Sequence, residues 1–482
     1  MRNKLLVFCI LFVLASGFFS VVAFFSKSSL IVFLSYSLFL LIAVSCFFIR
    51  GNDIFSPLTW FSITYFGYVV GGVYYSFGEV NYGKFLILTE TPFELVPEYM
   101  MASLLWAILC YFMFCFGYCI FSTKSSFVAR AENAVLSACP EFSKVARCLI
   151  PFFLIFGFCY WVYVAYEVAG GVLGIIIKFQ AFRHLIADTK ISTLPYHFYY
   201  AGIFLWLLVL VKDDKKISFL YIALSFIGML INLTQGRIML SITFVLAQVF
   251  FVGIARGDGI NGWKVFFNIS LLGVGALIIY FLRILSNYYF IGYEAPVIAD
   301  DTAFYRDFLN KIVGSGNVAD LQQLVIIFRT WSWDEPMLGV TYFDWIRNSF
   351  GALFGIAPSS IGLTIKEVYF PSGSGAATPG AIGEAFVNFS VLGPFFMMVV
   401  GAFFSFIYQN VKRIGSYILL MVYSIFLARF VLLYPKVDST MMLSFLWGAV
   451  PFLLAVFFIS AFLLGGKKSV KTTEAIAVKR GD

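Results

Sequence analysis

The sequence predicts an all-α polytopic integral membrane protein with about 12 transmembrane helices. Three observations predict it. Hydrophobic residues make up 61% of the chain and charged residues 12%, with a mean hydropathy of +0.93; a soluble domain carries roughly twice that charge. Apolar runs of about 20 residues, long enough to span a bilayer, recur from end to end. The runs are continuous and do not alternate, which argues against a membrane β-barrel.

The first run, 5–25, follows Met1-Arg2-Asn3-Lys4 and has the charge and core of a signal peptide. It lacks a small-residue cleavage site and a second run, 30–49, follows at once, so we read it as a retained helix. The third, 57–78, carries Gly67 and Gly71, a small-residue pair suited to helix packing. The fourth, 99–121, holds Cys110, Cys115 and Cys119 without histidine or carboxylate partners; we read these as packed thiols and expect no disulfides. Further runs lie at 148–168, 197–211, 217–234, 238–255, 264–285, 386–408, 415–433 and 441–464. Residues 1–482 are read as a single integral domain.

The majority of the 33 lysines and arginines fall in the alternate connections that an even count of spans places inside, including Arg147, Lys212, Lys215, Arg256 and the tail 465–482. That bias puts both termini inside. The net charge of +8 follows from this placement, and no basic-aromatic cluster points to nucleic acid. Three of the exterior connections are long: 79–98, 169–196 and 286–385. The last is too long to be a passive link. Within it, 318–331 and 342–354 have helical apolar spacing and suit amphipathic helices lying along the membrane surface. Residues 371–380, rich in glycine, serine and proline, read as a hinge or linker.

Arginine at the outer face is the main chemical signal. Arg237 sits in a tight outer turn, Arg283 and Arg429 near outer helix ends, Arg183 in the second loop, and Arg306, Arg329 and Arg347 in the third. A charge at the centre of a span costs about 2.5–3.5 kcal/mol on insertion scales, whereas an arginine near an end can snorkel and serve as an anchor. Several on one face also suit diphosphate oxygens, which match the guanidinium fork. His184 follows Arg183 in an exterior loop and is a candidate general base; His197 reads as an ordinary interfacial residue. Glu384 is expected at a helix N-terminus, where the helix dipole favours it, and is the other candidate base. There is no nucleotide-binding glycine motif, no HExxH and no aspartate-rich cluster for a metal and nucleotide sugar. We expect no cofactor and no metal.

The Gly236-Arg237 turn, Phe328-Arg329, Leu338-Gly339-Val340-Thr341-Tyr342, and Ile382-Gly383-Glu384-Ala385-Phe386-Val387-Asn388-Phe389 with Gly393 together resemble the O-antigen polymerase family, the Wzy-type oligosaccharide repeat-unit polymerases. The resemblance covers roughly 173–401. It implies a bacterial inner-membrane protein with cytoplasmic termini, and it makes 169–196 and 286–385 periplasmic loops. It implies an architecture similar to that of integral-membrane glycosyltransferases that use lipid-linked donors. The activity it implies is metal-independent glycosyl transfer from an undecaprenyl-diphosphate-linked oligosaccharide onto a lipid-linked repeat unit, with a flippase and a chain-length regulator as membrane partners. Arg183, Arg237, Arg283, Arg329, Arg347 and Arg429 would then hold diphosphate or glycan, with Tyr342 among the aromatic residues facing sugar. Glu384 or His184 would assist the acceptor hydroxyl. An O-antigen ligase-like transferase and a flippase for the same lipid-linked unit are the alternatives.

Overall fold

The computed structural model describes residues 55–65, 96–120, 140–171, 195–234, 238–256, 334–351, 359–369, 379–414, 416–443 and 448–460, with isolated positions between them. The described residues are helical, without strands. In chain order the α-helices are α1 (57–65), α2 (Val96–Ile120), α3 (Pro140–Ala169), α4 (Tyr196–Lys212), α5 (Phe219–Thr234), α6 (Ile238–Arg256), α7 (Asp344–Gly351), α8 (Ile361–Tyr369), α9 (Gly380–Phe389), α10 (Gly393–Ile414), α11 (Tyr417–Ile425), α12 (Ser439–Leu443) and α13 (Ala449–Ser460). Among the described residues four stretches are long and apolar enough to cross a membrane: Met101–Ile120, Phe142–Ala169, Met239–Arg256 and Gly380–Val411. Four more apolar helices are shorter: Tyr196–Lys212, Phe219–Leu233, Tyr417–Val431 and Ala449–Ser460. The expected spans at 5–25, 30–49 and 264–285 lie outside the described residues.

The chain divides into two compact units. The first contains α1, α2, α7–α10 and α12. Its α2 and α10 cross at glycines: a Cβ on Gly117 would strike the Met398 carbonyl, and one on Gly401 the Phe114 carbonyl. Close backbone approach of this kind is how helices associate where lipid removes the hydrophobic drive between them. Phe61, Phe114 and Phe404 pack around that crossing, with Phe61 stacked on Phe114 at 3.9 Å. Buried hydroxyls are paired across α1 and α2, Ser62 with Tyr111 at 2.7 Å and Tyr65 donating to the Ala107 carbonyl at 2.6 Å. Gly67 and Gly71, the pair the sequence offered for packing, lie outside the described residues.

The second unit contains α3–α6, α11 and α13. Gly157 of α3 lies against the Tyr199 backbone of α4, and Phe153 and Phe156 pack edge-on to Phe198. Polar side chains in the apolar helices pair with one another: Tyr200 donates to Asn232, and Tyr221 and Ser225 both donate to Gln248. Arg147 pairs with Asp213, and Arg256 donates to the Lys215 carbonyl. Arg147, Lys215 and Arg256, which the charge bias assigned to the inside, therefore share one end of this unit.

Several expected elements differ: the span expected at 148–168 begins at Pro140, and the one expected at 441–464 is divided between α12 and α13. The span expected at 386–408 begins earlier, at Gly380, and is interrupted: Ser390 sits at φ 48, a 3-10 turn covers Ser390–Leu392, and α10 starts at Gly393. The helix expected at 342–354 is a 3-10 turn, Val340–Phe343, followed by α7. Past α11 the chain continues as a π-helical turn, Phe426–Val431, a form that recurs at functional sites.

Candidate functional site

The site grows out of the break at Ser390. In an uninterrupted helix the carbonyls of Val387 and Asn388 would accept from the next turn. Here they accept from the amides of Met337 (3.0 Å) and Leu338 (2.9 Å), so the helix end draws a loop segment onto itself. Asn388 completes the junction. Its Oδ1 accepts from the Gly339 amide at 3.0 Å, and its Nδ2 donates to Thr341 Oγ1 at 2.6 Å and to the Glu384 carbonyl at 2.9 Å.

This docking brings Thr341 to Glu384. Glu384 lies one turn into α9 and is 0% exposed. Its Oε1 accepts from Thr341 Oγ1 at 2.8 Å and Ser439 Oγ at 2.6 Å, and its Oε2 accepts from the Ser439 amide at 2.7 Å. A buried carboxylate is tolerated when donors of this kind replace its water. The Ala381 amide donates to the Tyr434 carbonyl at 3.1 Å, and Trp106 Nε1 to the Ile382 carbonyl at 3.1 Å, fixing α9 from two further sides.

Two more charged residues are buried in the turn that precedes α12. Asp438 is 1% exposed and acts electrostatically on Glu384; Lys436 is buried as well. Tyr342 and Tyr434 complete the cluster. Burial, with the Glu384 charge adding to it, holds both phenols well above their usual range, so both stay neutral hydroxyls at neutral pH. The Tyr342 ring packs against Phe389 and Phe396, at 6.0 and 4.7 Å between centroids.

Of the remaining sequence candidates, Arg347 is exposed on α7, Arg329 is half-buried, and Arg429 is half-buried in the π-helical turn. Burial raises the Asp344 carboxyl above its usual value, against the lowering effects of Ser359 and Arg347. Arg183, His184, Arg237, Arg283 and Arg306 lie outside the described residues. Among the described residues no group of His, Cys, Asp and Glu comes together to hold a metal, and Cys110, Cys115, Cys119, Cys148 and Cys159 are not joined in disulfides.

Sequence reading missed Asp438, Lys436, Ser439 and Tyr434. The stretch Tyr434-Pro435-Lys436-Val437-Asp438-Ser439 joins two apolar runs, and charges in such a connection read as solvated. Glu384 was expected at a helix entrance and is instead enclosed within a half-helix. No protein-family description, curated protein or solved structure matches the chain.

Proposed function

We propose that this membrane protein is a glycosyltransferase that polymerises undecaprenyl-diphosphate-linked oligosaccharide repeat units at the outer face of a bacterial inner membrane. The observation that carries the reading is the docking of two motif stretches. Residues 338–342 and 382–389, on which the resemblance to repeat-unit polymerases rests, are joined through Thr341–Glu384 and Gly339–Asn388, pairs 43 and 49 residues apart in the chain. Ionisable groups buried inside a membrane protein mark function by default, and Glu384, Asp438 and Lys436 are such groups.

In this reading the acceptor hydroxyl oxygen attacks the anomeric carbon of the donor. The bond from that carbon to the diphosphate oxygen breaks, the hydroxyl proton passes to the departing diphosphate, and undecaprenyl diphosphate leaves. Arginines at the outer face, Arg347 and Arg329 among them, neutralise the leaving diphosphate. Full enclosure and three hydrogen bonds favour Glu384 as a positioning residue. It holds the 3-10 turn that leads into α7 and Arg347, whereas a general base must reach the proton it removes.

A lipopolysaccharide gel from a strain deleted for the gene tests this. The expected pattern is a core carrying one repeat unit with the ladder gone. A bare core assigns the protein to ligation or flipping, and an unchanged ladder removes it from O-antigen assembly.

A further inference from the structure

We propose that the turn 337–343 is a rigid anchor inserted among the acyl chains of the host bilayer. The proposal rests on the reading of α10 as a membrane span and not on the polymerase activity.

The turn presents its apolar side chains outward. Leu338 is 78% exposed, Val340 59% and Phe343 64%. Leu338 also has φ 51, a left-handed conformation that costs L-residues energy and that short polar side chains tolerate best. A strained leucine held outward by a turn bonded to Val387, Asn388 and Glu384 is placed there by the fold.

What covers it follows from its neighbours. The turn is bonded to the end of α9, and a Cβ on Gly339 would meet the Phe389 ring at 3.5 Å. Immediately beyond, Val391 and Leu392 are exposed, and the exposed side chains continue along α10 as Phe395, Val399, Phe403 and Phe406. These recur at helical spacing on the stretch Gly380–Val411, which is long and apolar enough to cross a membrane. Lipid is the solvent of such a face, and the turn extends it. Asp334 and Glu335 before the turn and Arg347 after it are exposed. An apolar tip flanked by charges matches the boundary between acyl chains and headgroups.

The test is fluorescence of bimane attached to Leu338→Cys and, separately, Phe343→Cys, in proteoliposomes of phosphatidylethanolamine and phosphatidylglycerol. Glu335→Cys serves as the aqueous comparison, and parent protein labelled in parallel gives the background from the eight native cysteines. Val340→Cys replaces either variant that fails to fold. The expected result at 338 and 343 is blue-shifted emission, lost with lipid doxyl-labelled near its headgroup and unaffected by iodide. Quenching by iodide would put the turn in water and overturn the proposal. Protection from both quenchers would mean protein covers it, a second copy included, and would overturn it too. Doxyl quenching abolished by added undecaprenyl diphosphate would assign the surface to the substrate's tail instead of the bilayer.

Discussion

Ser439 holds Glu384 by both of its donors, the amide at 2.7 Å to Oε2 and the hydroxyl at 2.6 Å to Oε1. The carboxylate thereby ties the start of α12 to α9, and through Thr341 it ties both to the docked loop.

The nature of that tie separates two roles for Glu384. A glutamine in the same pose accepts from the Ser439 amide with its oxygen and donates from its nitrogen to the hydroxyls of Thr341 and Ser439. Glu384→Gln keeps the Ser439 amide bond and leaves only the two hydroxyl protons to find new acceptors, so it should lose less thermal stability in detergent than Glu384→Ala and retain most of its transfer activity. Glu384→Ala leaves buried donors without acceptors, which costs about 1–3 kcal/mol, and should lose activity together with thermal stability. A well-folded, inactive Glu384→Gln would make Glu384 a base.

The α2–α10 crossing gives a second prediction. Gly117→Ala drives a methyl into the Met398 carbonyl, and backbone cannot give way as a side chain can. A loss of about 1–3 kcal/mol is expected, read as a lower midpoint in a detergent melt. Gly202→Ala meets side-chain atoms in place of backbone, Leu154 at 3.0 Å and Phe153 at 3.2 Å, and should cost less.

Asp344 predicts a pH effect. Its folded carboxyl is raised by burial, so the folded protein binds the proton more tightly than the unfolded chain does. The stability this contributes is present at low pH and is lost as pH rises through the folded value. The melting advantage of Asp344→Asn over wild type should therefore widen from about pH 4, near the ordinary Asp value, to about pH 7.

Much of the helix pattern was legible in sequence and the heart of the site was not. Runs read at 99–121, 197–211 and 238–255 match Val96–Ile120, Tyr196–Lys212 and Ile238–Arg256, because a long apolar run fixes a helix by itself. The break at Ser390 was invisible because Val391, Leu392 and Gly393 carry the apolar run across it. Glu384 stood out as a carboxylate beside a span. Its partners did not, since the burial of Asp438 and Lys436 depends on residues distant in the chain.

The arginine reading is open to direct test. Arg347→Ala, Arg329→Ala and Arg237→Ala should each shorten or abolish the lipopolysaccharide ladder while membrane fractions hold normal amounts of protein. Full ladders from all three would end the diphosphate-clamp account.

The most direct measurement is transfer by the purified protein in proteoliposomes, supplied with undecaprenyl-diphosphate-linked repeat units and no nucleotide sugar. The account predicts lipid-linked products of two and more units with release of undecaprenyl diphosphate. Folded protein that leaves single units unextended, with donor and acceptor both present at the outer face, would contradict it.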